Sequence, residues 1–167
     1  MLFWLINLVW WAMGEVSGVA ARLVAPAFAV VALIGTWALG RRLWDGATGA
    51  LATVVLAGLS TFALYGGATM FDTMLAVATL AGLRALIAAF EAPGLNRRAW
   101  LGFGLALAFG VLAKGPVILL HLMPTLLAAP LWTEAVDRPA WRDVLRGLVL
   151  ALAVALGIVA LWVVPAA

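Results

Sequence analysis

The sequence predicts an all-α membrane protein with about six transmembrane helices and an N-terminal interfacial helix. Of its 167 residues, 67% are hydrophobic and 10% are charged, and the mean hydropathy is +1.18. A soluble domain has roughly 45–50% apolar and about 25% charged residues, and a chain of this size could not hide so much apolar surface from water. The bilayer must therefore act as solvent, and we expect residues 1–167 to form a single membrane domain.

The interfacial helix is predicted over residues 2–13, within a region that covers residues 1–18. This apolar run reaches only about 18 Å at about 1.5 Å per residue, which is too short to cross a membrane. Trp4, Trp10 and Trp11 supply indole rings, which prefer the boundary between membrane and water. We therefore expect the helix to lie in the plane of the membrane.

Four segments match the roughly 20 apolar residues that cross about 30 Å of hydrocarbon: 23–40, 47–65, 73–90 and 145–164. The stretch 100–132 is too long for one crossing and suits two short helices joined at Lys114-Gly115-Pro116. Pro116 fits the first turn of a new helix, and Gly115 relieves the turn before it. A re-entrant loop with both ends on one side is the alternative for this stretch.

The basic residues predict the orientation. Most of them follow the first and third spans or lie between the fifth and sixth, and by the positive-inside rule these loops are cytoplasmic. The residues are Arg41, Arg42, Arg97, Arg98, Arg138, Arg142 and Arg146. Arg22, Asp72 and Lys114 then lie toward the outer face. Because the cations are scattered rather than gathered on one face, we expect no nucleic-acid partner.

The absence of cysteine excludes a disulfide framework and thiolate chemistry. The single histidine leaves no second His or Cys to complete a zinc site. The sequence therefore assigns no metal-ligating residues, and it leaves metal dependence open.

Asp72, at the outer start of the third span, is the first candidate for chemistry. One interpretation is a helix N-terminal carboxylate, which satisfies backbone N–H groups and meets the positive end of the helix dipole. The other is a general base or metal-binding acid, because ionisable groups near hydrocarbon usually face a polar cavity. Both can hold together.

Lys114 is the second candidate. It could interact with the helix dipole and extend its amine toward the interface. However, Gly102, Ala106 and Gly110 precede it at four-residue intervals. This strip of small residues favours close helix packing, which would direct the amine into the bundle. A phosphate at the membrane boundary would suit such an ammonium group.

Two further residues are weaker candidates. His121 shares a helix face with Thr125 and is either a packing residue or part of a pocket. Arg22 contacts either lipid headgroups or a substrate phosphate. An alternative function also follows: Asp72, Lys114 and His121 could form the polar site of a multi-spanning transporter or permease. No internal repeat of the kind that transporters carry is visible.

Four ordered stretches resemble a known family: FWLINLVWWAMGEVSGVAARL, LGRRLWDGATGALA, LYGGATMFDTMLA and GLALAFGVLAKGPVILL. Together they resemble the GT-C membrane glycosyltransferases that use polyprenyl-phosphate sugars. Within these, the sequence is most similar to the lipid A aminoarabinose transferase and to bacterial relatives of protein mannosyltransferases. The resemblance implies a multi-pass protein of the bacterial inner membrane with a lipid-linked sugar as donor and lipid A or a protein as acceptor.

The resemblance also implies roles for individual residues. The family's acid at the outer start of a helix corresponds to Asp72, which would orient or deprotonate the acceptor or hold a divalent ion. Its Thr-Lys-Gly-Pro turn corresponds to residues 113–116, where Ala113 replaces the threonine. Lys114 would stabilise the carrier phosphate, with Arg22 nearby. The resemblance places the interfacial helix and residues 1–18 on the periplasmic side. The family's acid pair in a first periplasmic loop has no counterpart, so we expect this chain to be an internal fragment, or the product of a gene with a late start codon, that is inactive alone.

Overall fold

The computed structural model describes residues 1–133 and 139–164, so Arg138 lies outside the described residues. The described chain is helical, and the predicted all-α class is confirmed. Its helices are α1 (Leu2–Met13), α2 (Gly18–Leu43), α3 (Gly46–Gly58), α4 (Ser60–Gly66), α5 (Asp72–Phe90), α6 (Arg97–Lys114), α7 (Val117–Leu127), α8 (Ala129–Trp132) and α9 (Trp141–Val163).

Backbone contacts divide the chain into two compact units, Met1–Leu80 and Ala81–Ala167. The first unit contains α1 to α4 and the first half of α5. The second contains the rest of α5 and α6 to α9. The single membrane domain over residues 1–167 stays a prediction.

The count of about six transmembrane helices is not confirmed. Among the described residues, α2, α5 and α9 are long and apolar enough to cross a membrane, and a fourth span results if α3 and α4 are taken together. These two helices meet at a bend of 71°, which breaks the span predicted over residues 47–65. The two short spans predicted over residues 100–132 are not confirmed. Helix α6 carries cations at both ends, and α7 has only 11 residues.

The predicted helix over residues 2–13 is confirmed as α1. It ends at Gly14, whose φ of 74° is the left-handed conformation that favours glycine. Leu2 and Ile6 are buried one turn apart, whereas Trp11 on another face is 81% exposed. The Trp10 indole donates a hydrogen bond to the Ser17 carbonyl at 2.8 Å, which ties α1 to the start of α2.

Helices α2 and α3 approach closely at two glycines in the first unit. A methyl group built on Gly49 would lie 2.6 Å from the Trp37 carbonyl oxygen, and one on Gly40 would lie 2.8 Å from the Gly49 Cα. Only residues without a side chain allow this contact. At the same end of α2, the Arg41 guanidinium lies 4.3 Å from the centre of the Trp37 ring, a cation–π distance.

The second unit is organised around the contact between α6 and α9. The Trp100 indole on α6 lies directly over Gly147 on α9, and one turn further along each helix Gly104 faces the Ala151 backbone. Trp100 is 2% exposed and makes an edge contact with Phe103, with 5.8 Å between ring centres. The large Trp100 ring of α6 thus packs against a small residue of α9.

Candidate functional site

Asp72 is the first residue of α5, where the sequence predicts the start of a helix. The Phe71 carbonyl accepts a hydrogen bond from the Leu75 N–H at 3.0 Å, so the helical bonds begin at Phe71. The Phe71 side chain has no atom that can accept a bond from the first-turn amides. Asp72 itself is exposed, which leaves its carboxylate on the surface of the first unit.

Thr73, the next residue, is a feature that the sequence analysis missed. Its side chain is 5% exposed, and within the described residues its hydroxyl oxygen has no hydrogen-bond partner. Sequence position offered one signal, because a threonine in the first turn of a helix has no helical carbonyl four residues before it. The burial that keeps water from this hydroxyl becomes visible only in the structure.

The segment before α5 brings α1 to this end of the first unit. After α4, the Ala68 N–H bonds to the Tyr65 carbonyl at 3.2 Å and the Met70 N–H to the Ala68 carbonyl at 2.8 Å. The Phe3 ring of α1 then meets the Phe71 ring edge to face, with 6.1 Å between ring centres. The predicted interfacial helix therefore packs directly beside the start of α5.

Arg22 belongs to the same unit as Asp72. It lies near the beginning of α2 and is exposed. An apolar groove of about 400 Å³ lies between α1 and α2, and its lining includes Val9, Met13 and Leu23, the residue after Arg22. Arg22 is therefore the exposed neighbour in sequence of a residue that lines the groove.

The predicted turn at Lys114-Gly115-Pro116 is confirmed. Helix α6 ends at Lys114, Gly115 has φ 73° and ψ −158°, and α7 begins directly after Pro116. This backbone conformation is essentially restricted to glycine. The Gly115 N–H bonds to the Val111 carbonyl at 2.7 Å, which closes the end of α6 and fixes the position from which the lysine side chain departs.

The strip of small residues that leads to Lys114 is packed as predicted. A methyl group on Gly110 would lie 2.5 Å from Ile118 of α7, and one on Gly102 would lie 3.6 Å from Ala85 of α5. Ala106 between them is buried. Lys114 is exposed, and the direction of its amine into a bundle stays a prediction.

His121 lies on α7 in the second unit, as Lys114 does. Its ring is exposed, and Nδ1 lies 3.0 Å from the Val117 carbonyl one turn earlier, so the tautomer with hydrogen on Nδ1 donates to that oxygen. Whether His121 is a packing residue or part of a pocket stays a prediction. Among residues 1–133 and 139–164, no group of three or more His, Cys, Asp or Glu side chains could hold a metal ion.

The four predicted site residues thus fall into two pairs. Arg22 and Asp72 belong to the first unit, and Lys114 and His121 belong to the second. The meeting of the Asp72 carboxylate with the Lys114 amine around one substrate stays a prediction.

Comparison with known proteins identifies the family. The family model described as dolichyl-phosphate-mannose-protein mannosyltransferase matches residues 1–164. No curated protein and no solved structure matches the chain. With its apolar helices, the chain is a multi-pass membrane protein. Because the match covers nearly the whole sequence, the chain belongs to the dolichyl-phosphate-mannose-protein mannosyltransferase family, a family of GT-C glycosyltransferases.

Proposed function

We propose that the protein transfers a sugar from a polyprenyl-phosphate carrier to a hydroxyl group of a lipid or protein acceptor. The transfer takes place at the periplasmic face of the bacterial inner membrane. The observation that carries the proposal is the family match over residues 1–164, since the name of that family specifies a lipid-phosphate sugar donor and a protein acceptor. Lipid A is the lipid acceptor that the sequence resemblance favours.

In the proposed reaction, the acceptor oxygen attacks the anomeric carbon of the sugar and inverts it. The bond between that carbon and the phosphate oxygen breaks, and its electron pair leaves with the polyprenyl phosphate. The Asp72 carboxylate orients the acceptor hydroxyl and takes its proton as the new bond forms. Its exposure at the first turn of α5 supports this role, because a base must be reachable by an acceptor.

Lys114 stabilises the negative charge that grows on the departing phosphate. A fixed cation placed where charge develops lowers the barrier, because it needs no reorganisation during the reaction. The conformation of Gly115 and its bond to Val111 support this role, since they fix the end of the helix that carries the lysine. No step of the proposal runs through a metal ion.

Arg22 binds the phosphate of the carrier before transfer. Its exposure and the apolar groove beside it match a ligand that joins a phosphate to an isoprenoid chain. His121 is a candidate pocket residue through Nε2, because Nδ1 is engaged with the Val117 carbonyl.

The orientation follows from the charges at the helix ends. Arg41 and Arg42 end α2, Arg97 and Arg98 begin α6, and Arg142 lies in the first turn of α9. If these ends are cytoplasmic, the start of α2 and the start of α5 are periplasmic, and so is the end of α6 if that helix crosses the membrane. Arg22, Asp72 and Lys114 then share the outer side of the membrane.

The test is sugar transfer from a polyprenyl-phosphate donor by the full-length enzyme that contains this chain, reconstituted in proteoliposomes, because the chain alone is expected to be inactive. Lipid A and an acceptor protein are assayed separately. We expect Lys114→Ala to lower turnover by about 10²- to 10³-fold and Asp72→Asn by about 10²- to 10⁴-fold. Arg98→Ala, which removes a cation from the other end of α6, is the matched control and should leave turnover nearly unchanged.

The roles of Lys114 and Asp72 can be refuted separately. Normal turnover of Lys114→Ala would exclude that amine from the mechanism, and normal turnover of Asp72→Asn would exclude the carboxylate. If the wild-type protein transferred no sugar to either acceptor but took up a solute, the transporter function would replace the glycosyltransferase function.

A further inference from the structure

The Thr73 hydroxyl differs in its hydrogen bonding from the hydroxyls of three other helical threonines. Thr36, Thr53 and Thr79 each donate to the carbonyl four residues earlier, at 2.9 Å in all three cases. Thr73 is 5% exposed, and of the buried side-chain nitrogen and oxygen atoms in the described chain, only its hydroxyl oxygen has no hydrogen-bond partner.

The position of Thr73 in α5 explains why the helix does not satisfy it. The residue four positions earlier is Thr69, which lies in the non-helical segment before α5. The carbonyl that serves the other threonines is therefore not presented by a preceding helical turn. Buried polar side chains in folded proteins nearly always have a partner, and each exception needs an explanation, such as stored strain, a catalytic role, or a bound water or ion.

The surroundings of Thr73 indicate which chemistry could satisfy it. It is the second residue of a 19-residue helix, whose N-terminal end carries partial positive charge and amide donors. Phe71, at the cap position, offers these donors no side-chain acceptor. Asp72 adds a carboxylate, which accepts hydrogen bonds. Donors and an acceptor side by side suit a ligand with several hydroxyl groups, as a sugar has.

Asp72 and Thr73 are neighbours in the first turn of α5, where successive side chains project about 100° apart. A ligand that contacts both must therefore lie across the end of the helix. We propose that Thr73 is a positioning residue of the transfer site, whose hydroxyl donates a hydrogen bond to a hydroxyl oxygen of the sugar donor or of the acceptor. This inference rests on the proposed function. Because this oxygen is buried, the contact requires the Thr73 side chain or residues 67–70 to move when the ligand binds.

Steady-state kinetics of Thr73→Val test the inference, because valine keeps the shape of the side chain and removes the hydroxyl. We expect KM to rise about tenfold, the effect of losing one hydrogen bond. Titrating donor and acceptor separately shows which substrate supplies the oxygen. Thr73→Ser should restore a KM close to that of the wild type. Thr79→Val, which removes a hydroxyl from the same helix, is the control and should keep a normal KM.

Thermal unfolding separates binding from a structural role. Thr73→Val breaks no hydrogen bond in the folded protein, so its melting temperature should equal or exceed that of the wild type. A lowered melting temperature together with an unchanged KM would assign Thr73 to stability and overturn the inference. The control Thr79→Val should melt below the wild type, because it loses the bond to the Leu75 carbonyl.

Thiol labelling of a different variant does not require turnover, and it tests the inference even if Thr73→Val fails to fold. The 167 residues contain no cysteine, so Thr73→Cys introduces a single thiol into this sequence. We expect a small methanethiosulfonate reagent to label it, and the bound substrate to slow labelling at least fivefold. Labelling at the same rate with and without both substrates would overturn the inference.

The two proposals fail in different ways. A wild-type protein that transfers no sugar would overturn both. A wild-type protein that transfers sugar while Thr73→Val keeps its KM for both substrates would overturn the positioning role alone and leave the proposed function intact.

Discussion

Gly147 tests the close packing of α6 against α9. A methyl group at this position would overlap the Trp100 indole, since its nearest neighbours would be Cε2, Nε1 and Cδ2 of that ring. The ring has little freedom to move, because Trp100 is almost fully buried and lies 5.8 Å from the Phe103 ring and 6.5 Å from the Phe90 ring, measured between centres. Gly147→Ala should therefore strain the interface rather than fill a space.

The magnitude follows from the cost of overpacking. Forcing an extra carbon into a packed core destabilises by about 1–3 kcal/mol. In a chain of this length each kcal/mol shifts the melting temperature by about 2–4 °C. We therefore expect Gly147→Ala to melt about 2–12 °C below the wild type.

Gly157 provides the matched control on the same helix. A methyl group built on Gly157 would meet no neighbouring atom of the described chain within 4 Å, so alanine at this position enters open space. Alanine favours a helix over glycine by about 0.5–1 kcal/mol. Gly157→Ala should therefore melt about 1–4 °C above the wild type, which gives the two substitutions opposite signs.

The assay is thermal unfolding of the purified protein in detergent, followed by circular dichroism. A double variant tests the assigned cause. Replacing Trp100 by leucine makes room for the new methyl group, so Gly147→Ala should cost less in that background than in the wild type. If Gly147→Ala melted at or above Gly157→Ala, the close contact between Trp100 and Gly147 would be wrong.

Three further predictions concern helix ends. Gly115→Ala should lower the melting temperature, because about 1–3 kcal/mol of backbone strain is imposed at φ 73°, and thermal unfolding would show it. The Asp45 pKa is lowered by hydrogen bonds from the first turn of α3. The stability from this cap is therefore present above about pH 4 and is lost as the pH falls through the lowered pKa. Thermal unfolding at a series of acidic pH values should show a melting temperature that depends less on pH for Asp45→Asn than for the wild type. Asn96→Ala should cost about 1 kcal/mol in chemical unfolding, because Asn96 bonds to both Ala99 and Ala88.

Local rules predicted the helix ends well. Gly115 and Pro116 were expected to separate two helices, and the positive φ of Gly115 is the physical reason for a glycine there. The start of α5 at Asp72 followed from the change from loop to apolar residues. Such features depend on backbone sterics and on neighbouring residues, so a single sequence contains the information.

The span count could not be predicted in the same way. Residues 47–65 contain no proline, and the bend of 71° occurs at Leu59, between Gly58 and Ser60. Glycine and serine weaken a helix, but many membrane helices contain both without a break. The Trp100 contact with Gly147 was likewise invisible, because it joins residues far apart in the chain and depends on tertiary packing.

The candidate site stays a prediction, and its proposed residues differ in how clearly the sequence marks them. Charge made Asp72, Lys114 and Arg22 stand out, since ionisable groups are rare in an apolar chain. Thr73 did not stand out, because threonine is common in membrane helices and usually bonds to its own backbone, as Thr79 does. Recognising it requires both burial and the failure of that local bond.

Asp72, Thr73 and Lys114 lie at helix ends, and this location has a physical cause. Within hydrocarbon, each backbone donor and acceptor must be satisfied inside its own helix, so a helix interior has none left for a substrate. The first and last turns keep unsatisfied amides or carbonyls, and they lie where water and lipid phosphates begin. Asp72 and Thr73 occupy a first turn and Lys114 a last turn. Helix ends therefore suit a bilayer enzyme that acts on a lipid phosphate, and the substitutions proposed at these three residues test whether this chain uses them.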